Sequence, residues 1–194
     1  MNISKRSLLA AIAGSAMLSA CATIALAPTG AYSAEREFSV TLTRPWSDLT
    51  SAMLPRRPGV HMLTMDGVGL NQLYVASLAP NAALYVPMDR DTPAVRYRAD
   101  MSDTELVEFV VDSLATEFQE PQSTALRPQT LAGAPGVRFD VSMRTAAGLN
   151  MSGTGLVARS GDKLHLLLFL APSEHFYGAY APEVEAIFAS AAPA

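Results

Sequence analysis

The segment Leu164-His165-Leu166-Leu167-Leu168-Phe169-Leu170 carries apolar side chains at both odd and even positions, with His165 the one polar residue. As a strand it has no face for water, so it is stable only inside a sheet covered on both sides. The chain before it supplies neighbours. Val137, Phe139, Val141 and Met143 alternate with Arg138, Asp140, Ser142 and Arg144, giving one buried face and one wet or functional face. Ala146-Ala147-Gly148 turns the chain, Leu149 to Ala158 returns, and Ser160-Gly161-Asp162 makes the next turn. This register sets Met143 opposite Met151.

Covers for such a sheet are also visible. Ser102 and Glu105 have the spacing of a capping box, and Leu106, Phe109, Val110, Leu114 and Phe118 follow at helical spacing, ending before Pro121. Ala181-Pro182 opens a second helix with the buried stripe Val184, Ile187, Phe188 and Ala191. Earlier, Phe38 to Thr43, Val60 to Met65 and Leu70 to Leu78 read as strands, with Leu49 to Leu54 a short helical turn. In the second of these strands Val60, Met62 and Thr64 share one face, and His61, Leu63 and Met65 the other. Residues 79–101 are rich in proline and charge and read as irregular. The expected architecture is α+β, an antiparallel meander covered by two or more helices.

This order of elements resembles the PsbP-like (Mog-like) α/β/α sandwich. The residues that carry the resemblance are Gly161-Asp162-Lys163-Leu164-His165-Leu166-Leu167-Leu168-Phe169, then Phe176-Tyr177, then Pro182-Glu183-Val184-Glu185-Ala186-Ile187-Phe188-Ala189-Ser190. They match the closing strand and terminal helix of that fold. The resemblance covers residues 38–190 in layout and the last 30 or so in detail. It implies a binding or assembly role on larger complexes, with no shared catalytic residue to transfer.

The first 21 residues have a different logic. Lys5 and Arg6 precede an uncharged Ala/Leu/Ile/Gly run that leads into Leu18-Ser19-Ala20-Cys21, the three-part layout of an export signal. The last four residues resemble a lipobox, the processing site of bacterial lipoproteins. That resemblance implies residues 1–20 as a discarded signal and Cys21 as a lipidated first residue, with the membrane as a partner. Residues 21–36 are then expected to be a flexible tether and 37–194 a single domain. Two other readings stay open: an ordinary signal cut among residues 27–34, or a retained anchor over the 20 uncharged residues 8–27. The single cysteine allows no internal disulfide, whereas a lipidated thiol needs no partner. Ala22 supplies no charged retention signal, which favours the inner leaflet of the outer membrane over the inner membrane.

Removing residues 1–20 takes two basic residues and no acid, leaving 12 basic against 18 acidic residues. Lys163 is the only lysine that remains. An acidic domain without a basic run argues against nucleic acid as a partner.

Candidate chemistry is sparse. His61 and His165 lie on strand faces with apolar neighbours and read as hydrogen-bonded core residues; His175 follows the central strand and is the most exposed of the three. A Ser152–His175–Asp140 triad can be drawn, but Ser152 lies on a strand and no Gly-x-Ser-x-Gly elbow occurs. His61, Met62, Met65, Met143 and Met151 offer soft ligands for copper, yet Met62 and Met65 point to opposite faces. No zinc or EF-hand spacing is present, and Asp66-Gly67-Val68-Gly69-Leu70 lacks the lysine and capped helix of a phosphate cradle. Arg56, Arg57, Arg90, Arg96 and Arg98 interleave with acids as a solvated surface. Arg96-Tyr97-Arg98, with His175 and Tyr177, forms the candidate partner-binding set, because Arg and Tyr are favoured at interface cores. No catalytic residue, metal site or cofactor is assigned. The expected function is a non-catalytic, membrane-tethered binding or assembly module facing the periplasm, with an envelope protein as partner. A small periplasmic hydrolase or a copper-handling protein is the alternative.

Overall fold

A computed structural model describes residues 24–89 and 91–194. Eleven strands and two helices are described: β1 (Ala25–Ala27), β2 (Gly30–Ala34), β3 (Phe38–Leu42), β4 (Trp46–Asp48), β5 (Val60–Thr64), β6 (Gln72–Leu78), α1 (Asp103–Leu114), β7 (Gln119–Leu131), β8 (Ala134–Arg144), β9 (Asn150–Ser160), β10 (Lys163–Pro172), α2 (Phe176–Ala189) and β11 (Ala192–Pro193). A 3₁₀ turn at Thr50–Ala52 follows β4. Eight strands form one antiparallel sheet in the order β1-β4-β5-β6-β10-β9-β8-β7, and β11-β3-β2 form a smaller one.

β10 sits in the middle of the large sheet, hydrogen-bonded to β6 on one side and β9 on the other. From Leu164 to Ala171 no residue is more than 3% exposed, as its two-faced apolar pattern requires. The β8–β9 hairpin has the expected register, with Met143 opposite Met151. One face of the sheet packs against α1 through Leu106, Phe109, Val110 and Leu114. The other packs against α2 through Val184, Ile187 and Phe188, and against Phe38, Val40 and Leu42 of the small sheet. Each such side chain contributes about 1.5–3 kcal/mol when fully buried. The result is α+β in three layers.

The Ser102–Glu105 capping box is complete: Ser102 Oγ accepts from the Glu105 backbone N–H, and the Glu105 carboxylate accepts from Ser102 N at 2.7 Å. Residues 79–101 are irregular as expected, and they bury Leu84, Tyr85 and Tyr97 against the α1-side core.

Four expectations are corrected. The described part of the flexible tether 21–36 is mostly paired strand: β1 (Ala25–Ala27) hydrogen-bonds to β4, β2 (Gly30–Ala34) to β3, and Ala27 is buried. Short strands of small residues leave no periodic signal, yet backbone pairing holds them. No element is expected over residues 119–131, yet β7 forms there with Pro121 and Pro128 inside it. As the sheet edge, β7 tolerates both prolines, with irregularities between Gln119 and Gln122 and between Thr124 and Arg127. α2 begins at Phe176 rather than at Ala181, so Pro182 lies inside it and offers no N–H to the Gly178 carbonyl. His165 is a core residue, but neither ring nitrogen has a hydrogen-bond partner; the ring stacks on Phe38 at 4.9 Å and 29°.

Phe139 lies directly across from Gly155 in the β8–β9 ladder, and its ring occupies the space a side chain would need. A Cβ on Gly155 would lie 2.3 Å from the ring. Gly155→Ala is therefore expected to lower the unfolding free energy by about 1–3 kcal/mol, and Phe139→Leu in the same chain to recover much of it, read from urea midpoints.

Burial pushes the His165 imidazole below its ordinary pKa, with Glu37 opposing and Lys163 reinforcing the shift. The folded state thus holds the neutral ring while the unfolded chain takes a proton near pH 6.5. Stability from this site is present above about pH 6.5 and is lost as pH falls from there toward the lowered folded value. His165→Leu is expected to flatten the dependence of the urea midpoint on pH between about pH 7 and pH 5; an unchanged slope would contradict this account.

Candidate functional site

The densest polar cluster lies between β8, β9 and α2, at a residue on the face expected to be wet or functional. Arg138 is 1% exposed, because α2 closes over the face of β8 that its alternation left polar. Its Nε donates to Thr154 Oγ1 at 2.7 Å and its Nη2 to Glu185 Oε1 at 2.5 Å, while Nη1 is buried without a partner. The guanidinium carbon lies 4.4 Å from the Phe188 ring centroid, within cation–π range. Thr154 Oγ1 in turn lies 3.1 Å from Asp140 Oδ1, and Arg127 reaches the same carboxylate at 3.3 Å. This chain of contacts fastens α2 to the sheet. Alternation along a strand could reveal the polar face but not what covers it, so Arg138 escaped the sequence reading.

Tyr177 stands beside this cluster. Its ring stacks on Phe169 at 6.1 Å and its hydroxyl reaches the Gly153 carbonyl at 3.5 Å. Burial raises its pKa, and Asp140 adds to the effect. His175 is exposed, has φ +68° at the start of α2, and meets Phe176 edge-on at 5.2 Å. Both therefore shape the start of α2, and only His175 presents much of its side chain to solvent.

Arg96 and Arg98 hold the irregular segment in place. Arg96 donates to the Asn81 carbonyl at 2.7 Å, and Arg98 pairs with Asp100 at 3.2 Å and Glu105 at 3.5 Å. Tyr97 between them points into the core. Cys21 and Arg90 lie outside the described residues.

The imagined triad is not assembled. Ser152 Oγ is 2.8 Å from Ser173 Oγ, and Asp140 is engaged by Thr154 and Arg127. The soft-ligand set is dispersed too, since Met62, Met143 and Met151 pack in the α1-side core and Met65 against the opposite one. No group of three or more His, Cys, Asp or Glu side chains among the described residues could hold a metal ion.

A second polar assembly joins the N-terminal strands to the sheet. Tyr32 donates to Asp48 Oδ2 at 2.9 Å, and its oxygen is 2.8 Å from His61 Nδ1. The phenol has one proton and directs it at Asp48, so Nδ1 carries the hydrogen that joins the ring to Tyr32. Glu35 Oε1 lies 3.5 Å from Nε2 on the other side. Burial, followed by Asp48, raises the Tyr32 pKa. His61 is thus half-buried and hydrogen-bonded, as a structural histidine should be.

No family model matches the chain, and no curated protein matches it in sequence. Among solved structures it is similar to the solution structure of cyanobacterial PsbP (CyanoP) from Synechocystis sp. PCC 6803. The TM-score is 0.51 at 13% identity, over 91% of this chain and 99% of that one. The fold is PsbP-like. At this identity the likeness extends to the arrangement of strands and helices alone.

If the Arg138 cluster is a fastener, its members are unequal. Glu185→Ala leaves a buried guanidinium short of a partner and is expected to cost about 1–3 kcal/mol. Arg138→Met removes the charge along with the need for a partner and should cost less than Glu185→Ala. The double variant should be no worse than Arg138→Met alone, as read from thermal or urea unfolding.

Proposed function

We propose that this chain is a lipid-anchored envelope protein whose single domain serves as a non-catalytic binding or assembly module on the periplasmic side of a membrane. One observation carries the anchor: where the first strands begin. A cut among residues 27–34 would remove β1 and with it Ala27 from the core, and a cut beyond Gly30 would also remove part or all of β2, including, past Tyr32, its contacts with Asp48 and His61. A membrane span over residues 8–27 would claim Ala25–Ala27, which are paired with β4. Cleavage before Cys21 leaves every described strand intact. The Leu18-Ser19-Ala20-Cys21 motif is therefore the processing site most compatible with this fold.

The non-catalytic part of the reading is supported by where the reactive side chains are used. Arg138, Asp140, Glu183, Glu185 and Tyr180 all fasten α2, and Tyr32 with His61 fastens β2. A partner protein in the envelope, reached through the exposed edges of the irregular segment or the start of α2 at His175, fits a domain with its polar groups so engaged.

The direct test is the intact mass of protein extracted from native membranes. A polypeptide beginning at Cys21, with the added mass of the three acyl chains such lipoproteins carry, is the expected result. Cys21→Ser is expected to abolish both the cleavage and the added mass. Native protein that begins at an unmodified Met1 would refute the anchor.

A further inference from the structure

We infer that the domain is not held away from the bilayer on a leash but lies against it. The contact is the corner of the large sheet where the chain enters, with Ile24, Leu26, Leu54 and Met88 in the interfacial region. This deepens the lipid-anchor reading above and rests on it.

The first argument is length. Between Cys21 and Ala25, where β1 begins, there are four backbone steps, which span at most about 14 Å when fully extended. A lipid on Cys21 thus brings the start of β1 to within one linker length of the headgroups.

The second is which side chains stand at that corner. β1 runs antiparallel to β4 with Ala25 opposite Asp48, so Ile24 enters beside Leu49 and the 3₁₀ turn that follows. Leu54 comes just after that turn. Its backbone neighbourhood is firm, because Arg57 donates to the Leu84 carbonyl at 3.1 Å and lies 4.9 Å from the centre of the Tyr85 ring. Leu54 and Met88 share an open cleft of about 610 Å³, whose walls include Pro55, Pro87 and Pro93. Met88 is 84% exposed, Leu54 80%, Leu26 67% and Ile24 56%. These are the four most exposed large apolar side chains among the described residues; the next, Leu126, is 49% exposed. Leu54 and Met88 thus wall one cleft, and Ile24 and Leu26 lie beside and on β1, where the anchor brings the domain toward lipid. Single exposed apolar residues need no explanation, but two of them lining one cleft mark a surface that something covers.

The occupant is a bilayer surface. Apolar side chains on an amphipathic surface settle about 5–10 Å into the headgroup–acyl boundary, and binding scales with the apolar area buried. With 12 basic against 18 acidic residues after Cys21 processing, attraction to anionic lipid does not drive the contact. Insertion of these side chains does.

The test uses the full, processed protein reconstituted in vesicles of phosphatidylethanolamine and phosphatidylglycerol (3:1). Leu54→Cys, Met88→Cys and Leu126→Cys are each labelled with an environment-sensitive fluorophore, Cys21 being blocked by its own lipid. Leu126 is the control: β7 is the opposite edge of the sheet, roughly 34 Å away at about 4.8 Å per strand. The expected result is a blue shift at positions 54 and 88 and strong quenching there by a nitroxide carried on the acyl chains, with neither at 126. Hydrogen exchange of the unlabelled protein should show membrane protection at 24–27 and 86–89, which reads the same contact without a probe. Water-like spectra at 54 and 88, with lipid found on Cys21 by mass, would overturn the docking and leave the anchor standing. Protection that grows with protein density in the vesicle would mark a second copy as the occupant and overturn it too. Absence of lipid on Cys21 would remove both readings together.

Discussion

Removing β10 from water on both faces is the constraint to which the other elements answer. A strand whose residues from Leu164 to Ala171 are all buried cannot be an edge, and one cover leaves half of it wet. α1 supplies the first cover as a continuous amphipathic helix with a complete capping box. The second is composite, made from α2 and from three short strands drawn from both ends of the chain. β11 follows α2 and pairs with β3, so strands far apart in the sequence close one layer together. That layer has few residues of its own, and it holds its position by what fastens it to the sheet.

The fasteners explain why residues that look chemical in the sequence do not sum to a reactive site. Arg138 binds Glu185, Arg44 and Thr43 bind Glu183, Tyr180 and Asn71 bind Asp66, and Lys163 binds Glu37. Arg138–Glu185, Tyr180–Asp66 and Lys163–Glu37 join the second cover to the large sheet or its loops, and Glu183 ties α2 to the segment leaving β3. A neutral hydrogen bond contributes only about 0.5–1.5 kcal/mol net, so the apolar contacts of Val184, Ile187 and Phe188 provide most of the affinity between layers. The polar links decide how α2 is oriented, since a guanidinium buried as deeply as Arg138 tolerates few geometries.

What could be read from the sequence and what could not follow from this division. Strong periodicity survives translation into structure: the two-faced apolar run became the central strand, Met143 fell opposite Met151, and Ser102 capped α1. Features that depend on a partner elsewhere left no local trace. β1 and β2 are built from small residues around Pro28 and Gly30, and only pairing with β4 and β3 makes them strands. β7 is a strand because β8 offers it an edge despite its prolines. The start of α2 depends on His175 adopting a left-handed backbone, which a histidine rarely does and a sequence pattern cannot announce. Of the candidate partner-binding residues, only His175 keeps a largely free side chain. Arg96 and Arg98 are exposed but bonded to Asn81, Asp100 and Glu105, and Tyr177 is half-buried against Phe169.

The two edges of the large sheet are treated differently, and the difference has a physical reading. At β7 two prolines, register irregularities and mostly exposed polar residues discourage another strand from adding to it. At β1 there is no proline and no charge; the strand is three residues long, and Leu26 projects from it into solvent. Shortness limits backbone pairing there, but it does nothing to hide the apolar side chain. An edge left in that state is a liability on a freely diffusing domain. Under the proposed lipid anchor four residues upstream it would be an asset, because the same side chain that would recruit aggregates in water would meet the bilayer first. Under the proposed anchor, the asymmetry between the edges would give the sheet a membrane side at β1 and a solvent side at β7.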